Sequence, residues 1–151
     1  MLKFLTPLLL LLNISGFGQT AEIHSLDSLI EKSKVLAIEN PQESRRLVLE
    51  IEKISKEGKN TDDIIKSHIA FAEFYIANKL WVQAENHIDT ATLLAKKQPN
   101  VIQQVDLLIL LGKKQFKSGD YDQSKHSLTQ ATQLATRTKN NELLINIKLT
   151  E

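Results

Sequence analysis

Three stretches of this chain decide its fold: PQESRRLVLEIEKISKE at 41–57, WVQAENHIDTATLLAKK at 81–97 and YDQSKHSLTQATQLATR at 121–137. Set over one another at forty-residue spacing, they align Pro41, Trp81 and Tyr121 in one column and Ser44, Ala84 and Ser124 in the next. Val48, Ile88 and Leu128 follow, then Ile51, Ala91 and Ala131, then Ile54, Leu94 and Leu134, then Ser55, Ala95 and Ala135. Within each stretch the offsets are 3, 4, 3, 3 and 1, which trace one face of a helix. A fixed period of this length in helical sequence signifies stacked helical hairpins rather than one closed core.

Outward from these stretches, punctuation divides the chain into six helices and a fragment. Ser25 to about Glu39 carries Leu26, Leu29, Ile30, Ser33, Leu36 and Ala37 at helical spacing. Asn40-Pro41-Gln42-Glu43 opens the second helix, with Asn40 as cap, Pro41 in the first turn and Glu43 in capping-box register; Gly58 is the expected left-handed terminator. Asn60 with Asp63 opens a third helix reaching about Asn78, and a fourth runs from Trp81 to about Lys97, stopped by Gln98-Pro99. Asn100 and Gln103 cap the fifth, and Gly119-Asp120 breaks before the sixth, with Asp120 and Gln123 in capping register. Asn140 or Asn141 opens a seventh, running to Glu151. No alternation bounded by hairpin turns predicts a strand. The expected fold is all-α: antiparallel hairpins at about 25–58, 61–97 and 100–138, plus a partial helix at 141–151, stacked because no single pair can cover both of its apolar stripes.

Composition narrows the function. The chain has 151 residues, a formal charge of +1, 5% aromatics and no cysteine. Near-neutral charge and few aromatics argue against nucleic acid, and the absence of cysteine excludes disulfides, thiolate metal sites and a cysteine nucleophile. Residues 1–18 read as a signal peptide: Lys3 gives a positive start, Phe4 to Leu12 an apolar run too short to span a bilayer, and Gly16 and Gly18 a peptidase site. Gln19 is then the mature N-terminus, the location is a bacterial periplasm, and membrane contact arises only through an uncleaved signal.

Nothing in the sequence assembles a reaction centre. His24, His68, His87 and His126 make no pair three or four residues apart, which predicts surface or packing roles rather than a metal site. Gly112-Lys113 lacks the remainder of a phosphate loop and lies within a helical pattern. The serines sit at caps and crossings, and the carboxylates are spread over solvated faces. No enzyme, metal or cofactor is expected.

With these residues in place, the chain resembles the tetratricopeptide repeat family. The third pair matches best, through Leu111-Gly112, Gly119-Asp120-Tyr121, Ser124, Leu128 and Ala131. The second matches through Phe71-Ala72, Tyr75, Trp81, Ala84, Ile88 and Ala91. Ala72, Gly112 and Ala84 are small where two helix axes cross closely, and Tyr75, Trp81 and Tyr121 are expected to fill the wedge beside the contact. The period of forty exceeds the usual thirty-four, Gln115 stands where the family prefers an aromatic, and the first pair has only Ser33 and Ser44 and a hairpin one residue shorter. An exported chain with long repeats also resembles the sensory N-terminal region of bacterial tetratricopeptide histidine kinases and transcriptional regulators, which makes a truncated sensory region the alternative reading.

The resemblance implies that the first helix of each pair lines a concave groove holding a protein or peptide segment. Its lining is then Lys66, Ile69, Glu73, Ile76 and Ala77, followed by Asp106, Ile109, Lys113, Phe116 and Lys117. Ile69 with Ile109, and Ile76 with Phe116, are expected as two exposed apolar columns between charges of both signs. The apolar fragment at the C-terminus suggests a second surface, self-association through Leu143, Leu144, Ile147 and Leu149.

Overall fold

The computed structural model describes residues 25–97 and 100–138. The expected signal peptide, the seventh helix and its self-association surface lie outside the described residues. Six helices run in order: α1 Leu26–Glu39, α2 Pro41–Gly58, α3 Thr61–Ala77, α4 Trp81–Ala95, α5 Val101–Ser118 and α6 Tyr121–Arg137. There is no strand among the described residues.

The asparagines start helices as their position requires, each satisfying backbone N–H groups that have no partner in the first turn. The Asn40 side chain accepts from Glu43 N at 3.2 Å, Asn60 from Asp62 N at 2.9 Å, and Asn100 from Ile102 N at 3.1 Å. Three details of punctuation differ from expectation. Gly58 is the last residue of α2, and Lys59 takes the left-handed conformation instead, at φ 53°. Asp120 precedes α6 without capping it, because its carboxylate accepts from the Ser118 hydroxyl at 2.8 Å. Gln103 does not reach back to its own helix start; its Nε2 donates to Asp62 Oδ1 on α3 at 3.2 Å.

The helices form antiparallel hairpins, α1–α2, α3–α4 and α5–α6, set side by side. Four of the six columns at forty-residue spacing are buried throughout, whereas the other two are opened by Ile54 and Tyr121, at 39% and 63% exposure. Val48, Ile88 and Leu128 are all buried, as are Ile51, Ala91 and Ala131 and the row Ser55, Ala95 and Ala135. At the crossing within each hairpin the backbones approach closely. The Ser44 hydroxyl donates to the Ser33 carbonyl in the first hairpin, and the Ser124 hydroxyl to the Gly112 carbonyl in the third. Ala72 and Ala84, both fully buried, occupy the corresponding places in the second.

Helix α3 shows why the hairpins depend on one another. Its Ala70, Phe71 and Phe74 join a core with Leu47, Val48 and Ile51 of α2, while Ala72 and Ile76 join another with Ala84 and Ile88 of α4 and Leu110 of α5. Ile65 completes a third with Ala91, Ala95 and Leu107. A large aliphatic or aromatic side chain contributes about 1.5–3 kcal/mol when fully buried, so α3 draws much of its stability from its neighbours on both sides.

One asymmetry sets the overall shape. The first helices approach each other closely, α1 against α3 and α3 against α5, whereas no such backbone approach joins α2, α4 and α6. An array that is narrow on one side and spread on the other must curve, with α1, α3 and α5 on its inner side.

Candidate functional site

Side-chain bonds at nearly one repeat of separation tie the inner helices together. Lys66 Nζ lies 2.7 Å from Asp27 Oδ1, and Lys113 Nζ lies 3.4 Å from Glu73 Oε1. Asn78 Nδ2 donates to the Ala37 carbonyl at 3.3 Å, alongside the Gln103 to Asp62 bond already described. Residues 39, 40 and 41 apart can meet in this way only where parallel helices lie in repeat register.

The structure therefore gathers the expected lining residues on adjoining helices, but it distributes their exposure differently. Lys66, Glu73, Ala77, Asp106 and Lys113 are half-buried, and Phe116 and Lys117 are exposed. Ile76 and Ile109 are buried, at 3% and 7% exposure, and Ile69 packs partly against the core. The two exposed apolar columns are thus absent. Ile76 sits against Leu110 and Ile88, and Ile109 clusters with Val105, Ala131 and Ala135, because helices this close leave little open surface between them. What remains is a strip of mixed charge ending at Phe116.

Asp106 is the least comfortable member of that strip. Burial pushes its carboxyl above the ordinary carboxylate range, and the positive charges of Lys34 and Lys113 only partly oppose the shift. At the end of the strip, Phe116 meets Tyr121 edge-on with ring centroids 5.4 Å apart. Tyr121 fills no wedge, contrary to expectation. It is 63% exposed, since among the described residues no helix lies beyond α6 to cover it. The two rings border a shallow cavity of about 350 Å³ with Ser124, Lys125, Leu128 and Thr129.

The opposite side holds a feature that reasoning from sequence missed. His68 on α3 and His87 on α4 bring their Nδ1 atoms to 3.0 Å. His87 stacks on Phe71 at 4.7 Å between centroids and tilts against Tyr75 at 5.5 Å. Burial pulls both imidazoles below the ordinary histidine range, favouring their neutral forms; His68 adds to this at His87 and Lys56 at His68, while Glu52 of α2 counters it at both rings. Spacing along the chain could not reveal the pair, but folding the hairpin about its crossing does. His68 lies four residues before Ala72 and His87 three after Ala84, so both fall on the same side of the contact.

One repeat on, the corresponding gap between α4 and α6 is an apolar cavity of about 280 Å³, lined by Thr92, Lys96, Leu108, Leu111 and Leu134 among others. Among the described residues no three His, Cys, Asp or Glu side chains converge to enclose a metal ion, and no helix is long and apolar enough to cross a membrane. No family model, no curated protein and no solved structure matches this chain.

Proposed function

We propose that the chain is a non-enzymatic scaffold of the tetratricopeptide type, exported to a bacterial periplasm, that holds a protein or peptide segment along its inner face. The observation that carries this reading is the side-by-side packing of α1, α3 and α5 in repeat register while α2, α4 and α6 stand apart. Curvature of that sense offers a continuous inner surface long enough for an extended segment.

The character of the surface refines the expected recognition. With Ile76 and Ile109 withdrawn into the core, charge sets the register of the bound segment, through Lys66, Glu73, Asp106 and Lys113. Affinity then depends on a few well-placed anchors rather than on a broad apolar floor. Phe116 and Tyr121, exposed together at the end of the strip, suit an apolar or aromatic residue of the partner.

The test is capture of envelope proteins by the mature chain from residue 19, compared with Phe116→Glu and Asp106→Lys. Both variants should retain full helicity by circular dichroism and lose the partners that the parent chain retains. Equal capture by all three would refute the inner-face assignment.

A further inference from the structure

His68 and His87 occupy places where the fold does not require histidine. One repeat on, the corresponding residues are Leu108 and Ser127, and α5–α6 forms the same kind of hairpin with them. We propose that the His68–His87 pair is a two-imidazole chelate for a divalent transition-metal ion, with Cu²⁺ bound most tightly.

The geometry supports this in three steps. First, the two Nδ1 atoms are 3.0 Å apart and belong to helices locked together at the tightly packed Ala72 and Ala84, so the ligands are brought together before any ion arrives. Second, imidazole nitrogen suits Cu²⁺, Ni²⁺ and Zn²⁺ alike. Among these divalent ions a given nitrogen site generally holds Cu²⁺ most tightly. Third, the ring centroids are 5.1 Å apart, so the two Nδ1 atoms now point largely towards each other and share one proton. Chelation swings both rings outward about χ2, a soft torsion for histidine.

The protons balance without an external acid or base. In the hydrogen-bonded pair one ring carries its proton on Nδ1 and the other on Nε2. Binding moves the first proton to Nε2 of the same ring by exchange with water, frees both Nδ1 lone pairs, and leaves each imidazole neutral. Both rings are only half-buried, so water completes the coordination from the solvent side. Glu52 of α2 places negative charge near both rings, and Lys56, paired with it at 2.7 Å, offsets part of that charge at His68.

The experiment is titration of the chain with Ni²⁺ and with Cu²⁺ alone, followed by calorimetry and by the histidine ring signals in NMR. Saturable uptake of one ion per chain should broaden the His68 and His87 signals together. His68→Gln and His87→Gln keep a hydrogen-bonding side chain of similar size, and each should weaken uptake about tenfold or more. His126→Gln, altering an exposed residue on α6, should not change it. Absence of saturable uptake, broadening that spares either His68 or His87, or affinity unmoved by both glutamines would overturn the assignment. The NMR result on the parent chain stands even if a glutamine variant folds poorly.

Discussion

The Ser124 hydroxyl donates to the Gly112 carbonyl at 2.8 Å, a contact twelve residues apart that repeats at eleven residues between Ser44 and Ser33. The difference of one residue locates the shortening of the first hairpin. In the second and third hairpins a left-handed residue, Lys79 or Gly119, lies between the helices, whereas α1 and α2 are joined through Asn40 alone.

Gly112 is held to glycine by Leu128. A Cβ on Gly112 would stand 2.9 Å from both Cγ and Cδ2 of Leu128. Gly112→Ala gains about 1 kcal/mol of helix propensity but incurs overpacking of about 1–3 kcal/mol. The expected net loss is about 1 kcal/mol by urea denaturation. The second hairpin pairs Ala72 with Ile88, so adding Leu128→Ile should recover part of it. A double variant no better than the single one would show that Leu128 is not the obstacle.

Lys79 and Gly119 sit forty residues apart at the same turn, with φ of 59° and 93°. The bonds around them repeat as well: Leu80 N donates to the Tyr75 carbonyl at 2.9 Å and Asp120 N to the Gln115 carbonyl at 2.8 Å. A side chain in this left-handed conformation costs about 1 kcal/mol, less the extra freedom that glycine gains when unfolded. Lys79→Gly should therefore raise stability by about 0.5 kcal/mol or slightly more, and Gly119→Ala should lower it by a similar amount. A thermal melt in which Lys79→Gly is destabilised would contradict the shared turn.

Most of the fold was legible because a repeated pattern records the surfaces that every hairpin must bury. The buried columns led by Ser44, Val48, Ile51 and Ser55 and the short first hairpin follow from that rule, while the caps at Asn40, Asn60 and Asn100 follow from helix punctuation. Features peculiar to one repeat were not legible. Gly58 looked like the terminator because glycine favours positive φ, yet the chain turns one residue later at Lys59. Ile76 and Ile109 looked exposed because periodicity along one helix cannot say how near the next one lies. The His68–His87 pair escaped notice for a related reason: its partners meet across a hairpin.

The Lys113–Glu73 contact joins two hairpins across a partly solvated surface, with side chains 38% and 23% exposed. A double-mutant cycle with Glu73→Gln and Lys113→Gln should return a coupling of about 0.2–1 kcal/mol that shrinks as salt is added. The exchange Glu73→Lys with Lys113→Glu should recover more stability than either reversal alone. A coupling of zero at low salt would mean that the apolar cores and the Gln103–Asp62 bond set the register of α3 against α5 without this ion pair.

Asp106 links stability to the proposed binding face. Its carboxyl is held above the ordinary range by burial, so the folded chain binds a proton more tightly than the unfolded one. The sign is then fixed: its contribution is fully present below the unfolded pKa, near 3.9, and is lost as pH rises through the higher folded value. At neutral pH the ionised group opposes folding, and Asp106→Asn should stabilise the chain, with an advantage that fades as pH falls through the raised folded value and is gone below the unfolded pKa. Denaturation of both proteins at neutral and at low pH measures the difference directly, and an advantage that grew on acidification would reverse the sign. A partner that pairs with this carboxylate gains from the same desolvation, because a partly buried charge is worth more to an opposite one. The same substitution should therefore weaken partner capture while strengthening the fold, the opposition expected where a residue serves binding at the expense of stability.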